Sequence, residues 1–235
     1  MKVLIIIPAY NEEKNIKKVV DNLRNNYSQF DYVVINDCST DNTEKIIREN
    51  KYNYLNLPVN LGIGGGVQTG YKYALYNNYD IAIQMDGDGQ HDPKYFNEIV
   101  KIIENNQADI VIGSRFINNE GFQSTIFRRL GINFLSLLIK IVSGTKIKDV
   151  TSGYRAVNKR FIKIYADEYS QDYPEPEAIV NAAMYDANIL EYPVVMFERE
   201  NGTSSISFLK SIYYMIKVSI GILMYRISIG GRRKK

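Results

Sequence analysis

The sequence predicts an α/β protein built on a mostly parallel sheet flanked by helices. Two observations lead there. Short β-branched apolar runs alternate with segments of helical spacing, and a polar motif follows the carboxyl end of nearly every run. Strands alternating with helices imply right-handed crossovers. In such sheets ligands bind beyond the carboxyl ends of the strands. A chain of 235 residues suits one domain with a sizeable core.

Lys2 to Ile7 has the pattern of a strand buried on both faces. It ends at Pro8-Ala9-Tyr10-Asn11-Glu12-Glu13, where Asn11 is placed to cap a helix running to about Asn26. Tyr32 to Ile35 predicts a second buried strand, ended by Asn36-Asp37-Cys38-Ser39-Thr40-Asp41; Ser39 or Asp41 can cap the helix that follows. Tyr52 to Leu57 predicts a third. Asn60-Leu61-Gly62-Ile63-Gly64-Gly65-Gly66 reads as a glycine loop opening a helix that ends near Tyr76. Asp80 to Met85 is the central strand. Pro93 suits the first turn of a helix to Asn106, and Asp109 to Ile112 predicts a fifth strand, ended by Gly113-Ser114-Arg115.

Composition excludes several classes. A net charge of +3 is too small for general nucleic-acid binding. A single cysteine, Cys38, rules out an intrachain disulfide and fits a reducing compartment. No secretory leader is expected, because the opening apolar run is short and leads into Pro8. The 62–66 glycine run fits neither the dinucleotide fingerprint after the first strand nor the P-loop pattern.

The chemistry concentrates at Asp86-Gly87-Asp88-Gly89-Gln90-His91. In an extended segment residues i and i+2 share a side, so Asp86 and Asp88 present two carboxylates together. They repel each other unless a cation sits between them. A hard divalent ion with oxygen ligands is the natural partner, and Gln90 can add a carbonyl oxygen. Mg²⁺ held this way completes its shell with water and substrate phosphates. A ligand-free polar turn has the same composition; the convergence of four polar motifs on one sheet edge favours a site. His91 is the only histidine, which excludes a histidine-rich zinc centre, and it stands within reach of the ion or diphosphate.

The order of Pro8-Ala9-Tyr10-Asn11-Glu12-Glu13, Asn36-Asp37-x-Ser39-Thr40-Asp41, Asn60-x-Gly62 and Asp86-Gly87-Asp88-Gly89-Gln90 resembles the family 2 glycosyltransferases, whose catalytic domain has the GT-A fold. Gly113-Ser114-Arg115, Asp149-x-x-Ser152-Gly153-Tyr154-Arg155 and Arg199-x-x-Gly202-x-Ser204-Ser205 are similar to the dolichol-phosphate mannose synthase and polyprenyl-phosphate glycosyltransferase branch. The resemblance implies that Pro8, Ala9, Tyr10, Glu12, Asp37, Gly66, Asp86 and Gly87 hold a nucleotide sugar. It implies Mg²⁺ or Mn²⁺ on Asp86, Asp88 and Gln90. Arg115 would face a donor or acceptor phosphate, and Arg128, Arg129, Ser152, Arg155, Arg199 and Ser204 would form the acceptor-phosphate side. Where the family often has paired aspartates this chain has Asn36-Asp37, and only Asp37 is carried over. Either Glu175 or Glu177 can occupy the family's acidic position, so the catalytic set is Asp88, Arg115, Glu175 and Glu177.

Residues 126–143 are apolar with Arg128, Arg129 and Lys140 interspersed, and fall short of the roughly 20 residues a bilayer needs. They read either as a core helix or as an interfacial helix admitting a lipid chain. In 206–229 Lys217 stands mid-segment, and a lysine at bilayer centre costs roughly 2.5–3.5 kcal/mol. Amphipathic helices lying in the membrane surface are therefore expected over 206–235, with the basic tail 230–235 on anionic lipid. The GT-A catalytic domain is expected over 1–205. The resulting expectation is inverting transfer of a hexose from a nucleoside diphosphate sugar, uridine-linked, to polyprenyl phosphate. The enzyme would lie peripherally on the inner face of the cell membrane, alone, self-associated or with a membrane-protein partner. Two rivals stand beside it. One is transfer to a sugar hydroxyl of a lipid-linked glycan or polysaccharide, with an acid among Asp172, Glu175 and Glu177 as base. The other is a non-catalytic sugar-nucleotide-binding subunit, which the intact acidic turn disfavours.

Overall fold

The computed structural model describes residues 1–123, 125–198 and 213–224, with the side chains of 126 and 127 left aside. The strands are β1 (Val3–Ala9), β2 (Asp31–Asn36), β3 (Tyr54–Asn56), β4 (Ile81–Gln84), β5 (Ile110–Ser114), β6 (Arg155–Asn158) and β7 (Ile189–Pro193). The helices are α1 (Ile16–Asn26), α2 (Thr43–Glu49), α3 (Gly62–Tyr76), α4 (Phe96–Glu104), α5 (Ile126–Ser143), α6 (Lys159–Asp167) and α7 (Pro174–Met184), and residues 213–224 are also helical. The expected α/β class is borne out, and each predicted strand lies within a few residues of an observed one.

Sheet order is β3-β2-β1-β4-β6-β5-β7. β1 runs parallel to β2 and β4, β2 to β3, and β5 to β7. β6 alone runs antiparallel, against both β4 and β5. The pleat sends alternate β1 side chains to opposite faces. Leu4 and Ile6 enter a layer formed with α3, α5, α6 and α7. Val3, Ile5 and Ile7 enter the layer formed with α1 and α4.

Two local expectations are corrected. Asn11 does not cap α1. Glu12 O accepts the N–H groups of Asn15 and Ile16, so the chain turns once before the helix begins. The glycine run is not a loop before α3 but its first turns. It sits there because of what it touches. A Cβ on Gly64 would lie 2.1 Å from Ser170 O, and one on Gly70 would lie 2.2 Å from Ile6 Cγ2. The helix thus lies almost backbone-on-sheet over β1, which is the strand that delivers Pro8 to the cleft.

α5 buries Ile132, Leu135, Ile139 and Val142. Its other face leaves Leu130, Phe134, Leu137 and Ile141 in solvent, spaced four, three and four apart. The expected core helix is thus observed on one face, while the other is apolar and exposed. The helical residues 213–224 repeat the pattern. Val218 and Ile222 are fully buried, while Tyr213, Ile216, Ile220 and Leu223 are exposed. Lys217 does not face a bilayer core; it pairs with Asp172. A Cβ on Gly131 would lie 3.1 Å from Met215 Sδ, and one on Gly221 would lie 2.5 Å from Glu177 Oε1. Residues 213–224 therefore bridge α5 and α7. Among the described residues no helix is long and apolar enough to cross a membrane. The basic tail 230–235 lies outside them.

Ala at an open helical site is about 1 kcal/mol better than Gly. Gly70→Ala is expected to do the opposite, lowering stability by about 1–3 kcal/mol through the clash with Ile6. Chemical denaturation of the two proteins checks this; equal or raised stability would mean that α3 can lift off β1 without cost.

Candidate active site

The cleft forms where β1, β2 and β4 end. Pro8, Ala9, Tyr10, Glu12, Asp37, Asn60, Gly62, Ile63, Gly66, Asp86, Gly87 and Asp88 enclose about 400 Å³, a volume in the range of small-molecule sites. All eight residues expected to hold a nucleotide sugar line it, joined by Asp88.

Its walls are stitched by short polar side chains. Asn11 adopts φ 56°, and its Oδ1 accepts from Thr40 N at 2.8 Å while its own N–H donates to Ser39 Oγ at 3.0 Å. The loops after β1 and β2 are locked together this way. Asp37 is 4% exposed. Its Oδ1 accepts the Leu61 N–H at 2.7 Å, and Asn60 Nδ2 donates to its carbonyl at 3.0 Å. Asp37 therefore pins the start of α3 to the cleft wall. Asn60, Gly62 and Ile63 line the cleft as a result; the Asn60-x-Gly62 motif was the available signal for two of them.

The floor is the acidic turn. β6 pairs with β4 so that Arg155 lies opposite Gln84, and two further residues bring Gly153 opposite Asp86. A Cβ on Gly153 would lie 3.1 and 3.2 Å from the two carboxylate oxygens of Asp86 and 2.9 Å from Gln84 Nε2. Glycine lets the Asp86 carboxylate and the Gln84 amide lie close against this strand; a Cβ would make both shift slightly. Gln84 Nε2 donates to Asp86 Oδ1 at 3.3 Å. His91 supports the same residue from below. Its Nδ1 accepts the Asp86 N–H at 3.1 Å, and its ring stacks on Tyr154 at 4.9 Å. An accepting Nδ1 puts the proton of the neutral ring on Nε2, 3.9 Å from Asp86 Oδ2. His91 is thus a buried prop for the turn and does not line the cleft. Asp88 is 7% exposed and accepts the Gln90 N–H at 3.0 Å. Gln90 does not line the cleft either; its side-chain amide donates to Phe197 O at 3.1 Å.

Two carboxylates on a cleft floor are a donor set that fits a hard divalent cation. No group of three or more His, Cys, Asp or Glu among the described residues forms a closed metal cage. The set suits an ion that takes its remaining oxygens from water and phosphates.

The expected acceptor residues divide into buried supports and one open cation. Arg115 grips Asp149 through Nε and Nη2 at 2.7 Å each, and Asp149 is fully buried. Ser152 Oγ donates to Gly113 O at 2.6 Å and is 2% exposed. Arg155 is 1% exposed, with Nη2 on Ser152 O at 2.7 Å and Nη1 on Glu175 O at 3.2 Å. Ser152 and Arg155 therefore hold β5, β6 and α7 together and do not stand on an open phosphate face, as the resemblance implied. The motif's polar residues are spent on backbone carbonyls. Arg129 lies over the Phe116 ring, 3.6 Å from its centroid, and bonds Gln123 and Asn119. Arg128 is exposed, and its guanidinium has no acidic partner among the described residues. Partial desolvation and the positive charge of Arg115 lower its pKa. Arg199 and Ser204 lie outside the described residues.

Glu175 and Glu177 occupy the first turn of α7. Burial raises the Glu175 carboxyl against the opposing pull of Arg155, and the charge of Asp86 raises it further. Glu175 is not among the residues that line the cleft. Burial also raises Glu177, opposed by a hydrogen bond from Ser170. Glu177 packs toward Gly221 instead.

Residues 4–165 match the family described as Glycosyl transferase family 2. The chain belongs to glycosyl transferase family 2. This glycosyltransferase is 32% identical, over 93% of its own length and 96% of the relative's, to a UDP-N-acetylglucosamine–dolichyl-phosphate N-acetylglucosaminyltransferase of Methanococcus voltae. It is 30% identical, over 88% of each chain, to an undecaprenyl-phosphate mannosyltransferase of Micrococcus luteus. Among solved structures it resembles glucosyl-3-phosphoglycerate synthase of Mycobacterium tuberculosis. The complex with phosphoglyceric acid superposes with a TM-score of 0.72 at 18% identity, over 96% of this chain and 79% of that one. The same synthase in complex with Mn²⁺, UDP and glucosyl-3-phosphoglycerate gives 0.69 at 18% identity, with the same coverage. These structures share the fold with this glycosyltransferase.

Removing one partner of a buried ion pair costs about 3–5 kcal/mol, because the other charge stays buried. Arg115→Ala is expected to lose that much stability in chemical denaturation. A variant as stable as the parent would mean that Asp149 is neutralised some other way and that Arg115 is available to substrate.

Proposed function

We propose that the protein transfers a hexose, with inversion, from a uridine-linked nucleoside diphosphate sugar to the phosphate of a polyprenyl lipid at a membrane surface. One combination supports the reading: an acidic cleft, and at the start of a helix with an exposed apolar stripe the exposed Arg128, which has no acidic partner among the described residues. The activities of the two relatives above, both on lipid phosphates, support the same reading.

A lipid phosphate is already ionised near neutral pH, so attack on the anomeric carbon needs no strong base. It needs cations that bring two anions together. Asp86 and Asp88, with Gln90 adjoining, would hold Mg²⁺ or Mn²⁺. When bound, that ion neutralises charge developing on the departing diphosphate. Pro8 to Tyr10, Glu12 and Asp37 would cradle the nucleoside, and Gly66 and Gly87 let the donor approach the backbone closely. Arg128 would take the acceptor phosphate, for which a guanidinium fork is suited. The apolar stripes of α5 and 213–224 would seat the protein on the inner leaflet, aided by the basic tail.

The raised Glu175 carboxyl favours a second reading, transfer to a hydroxyl of a lipid-linked glycan with Glu175 as base. A carboxyl raised by burial holds its proton to higher pH and is a stronger base once ionised. Activity in that case falls as pH drops through the raised value, and Glu175→Gln lowers kcat by roughly 10²–10⁴-fold. For a phosphate acceptor the rate stays level above the second phosphate ionisation, at roughly pH 6, and Glu175→Gln has little effect.

The test is transfer of radiolabel from a panel of UDP and GDP sugars, with Mn²⁺, to undecaprenyl phosphate. The expected product is extracted into organic solvent, survives base, is released by mild acid and is absent with Asp88→Ala. Donor hydrolysis without a lipid product would overturn the lipid-phosphate reading and leave the hydroxyl acceptor.

A further inference from the structure

The residues 213–224 bring one polar group to the acceptor side that no motif announced. Tyr214 is half-buried, and its ring packs edge-on against Tyr173 at 4.6 Å. Tyr173 immediately precedes α7 and its Glu175. The neighbouring Met215 reaches Gly131, which lies one helical turn after Arg128 on α5. Lys217, paired with Asp172, fixes the next turn against the same approach to α7. Tyr214 is therefore held at the junction between the start of α5 and the start of α7. Burial raises its phenol, Glu175 raises it further, and Arg128 opposes them. Its hydroxyl makes no hydrogen bond to any described residue.

We propose that the Tyr214 hydroxyl is an acceptor-positioning group, donating a hydrogen bond to the acceptor phosphate that Arg128 attracts. The inference rests on the lipid-phosphate reading above. A phenol stays protonated throughout the working pH range and can only strengthen an anion's hold. Set beside the Glu175 carboxyl, it also gives the phosphate a neutral donor on a side where an added ionised group would repel it. Because Tyr214 is carried by the helix whose opposite face is apolar, Ile216 and Ile220 rest on lipid in the same arrangement that presents the hydroxyl.

Tyr214→Phe keeps the ring on Tyr173 and removes only the donor. Steady-state kinetics of parent and variant are compared with a short-chain, water-soluble polyprenyl phosphate, which removes membrane seating from the measurement. A hydrogen bond to a charged group corresponds to roughly a ten- to hundredfold change. The expected result is an acceptor KM raised by that factor, with donor KM and thermal melting unchanged. An acceptor KM within about twofold of the parent overturns the inference while leaving the lipid-phosphate reading in place. A donor KM that rises in parallel, with a lowered melting point, overturns it in favour of a packing role. A parent enzyme that glycosylates no polyprenyl phosphate overturns both, a result visible before any variant is made.

Discussion

The approach of Gly153 to the Asp86 carboxylate is the contact on which the rest of the cleft depends. It follows from one topological fact, the insertion of an antiparallel strand between β4 and β5. Strand pairing is a fixed register, so the residue opposite Asp86 is set by the residues opposite Ile81 to Gln84. A glycine there lets the carboxylate lie against the chain; a Cβ would shift it and the Gln84 amide by a few tenths of an ångström. Around this contact the fold supplies a fixed shell: Gln84 on one carboxylate oxygen, His91 on the backbone amide, Tyr154 beneath His91. Tyr154 in turn donates to Asp92 O at 2.9 Å, which anchors the far end of the acidic turn. Preorganisation of this kind lets a site meet developing charge without rearranging.

The distribution of charge follows from the same frame. Negative groups collect at the ends of β1, β2 and β4. Positive groups lie beyond β5 and at the head of α5. Of the arginines there, Arg115 and Arg155 are consumed in building the protein, one on a buried carboxylate and one on carbonyls. Each fixes a loop whose neighbour faces the cleft. Arg128 keeps its charge unspent because no acid of the described chain reaches it. Desolvation, and then the positive charge of Arg115, lower its pKa.

Much of this was legible from the sequence, and the reason is periodic. Buried parallel strands announce themselves as β-branched runs, and a parallel sheet puts every polar motif that follows a strand on one edge. Pro8, Asp37, Asp86 and Asp88 were therefore placed together without knowledge of the sheet order. What stayed hidden depends on contacts between distant segments. Ser152 and Arg155 have the chemistry of ligand-facing residues, and nothing local says that their partners are backbone carbonyls of Gly113 and Glu175. The glycines of α3 read as a loop because helix propensity disfavours them; contact with Ser170 and Ile6 overrules propensity. Lys217 argued for a membrane surface, and its actual partner, Asp172, stands 45 positions away in a segment of different pattern.

The two-faced character of residues 213–224 carries a consequence for how the protein behaves in water. One face completes the core through Val218 and Ile222, so the segment cannot be trimmed away to gain solubility without opening the layer it covers. The other face leaves Ile216, Ile220 and Leu223 wet, next to a helix that does the same. Among the described residues nothing else covers those stripes. Purified protein should therefore associate reversibly as its concentration rises, and detergent monomers, by occupying the stripes, should disperse it.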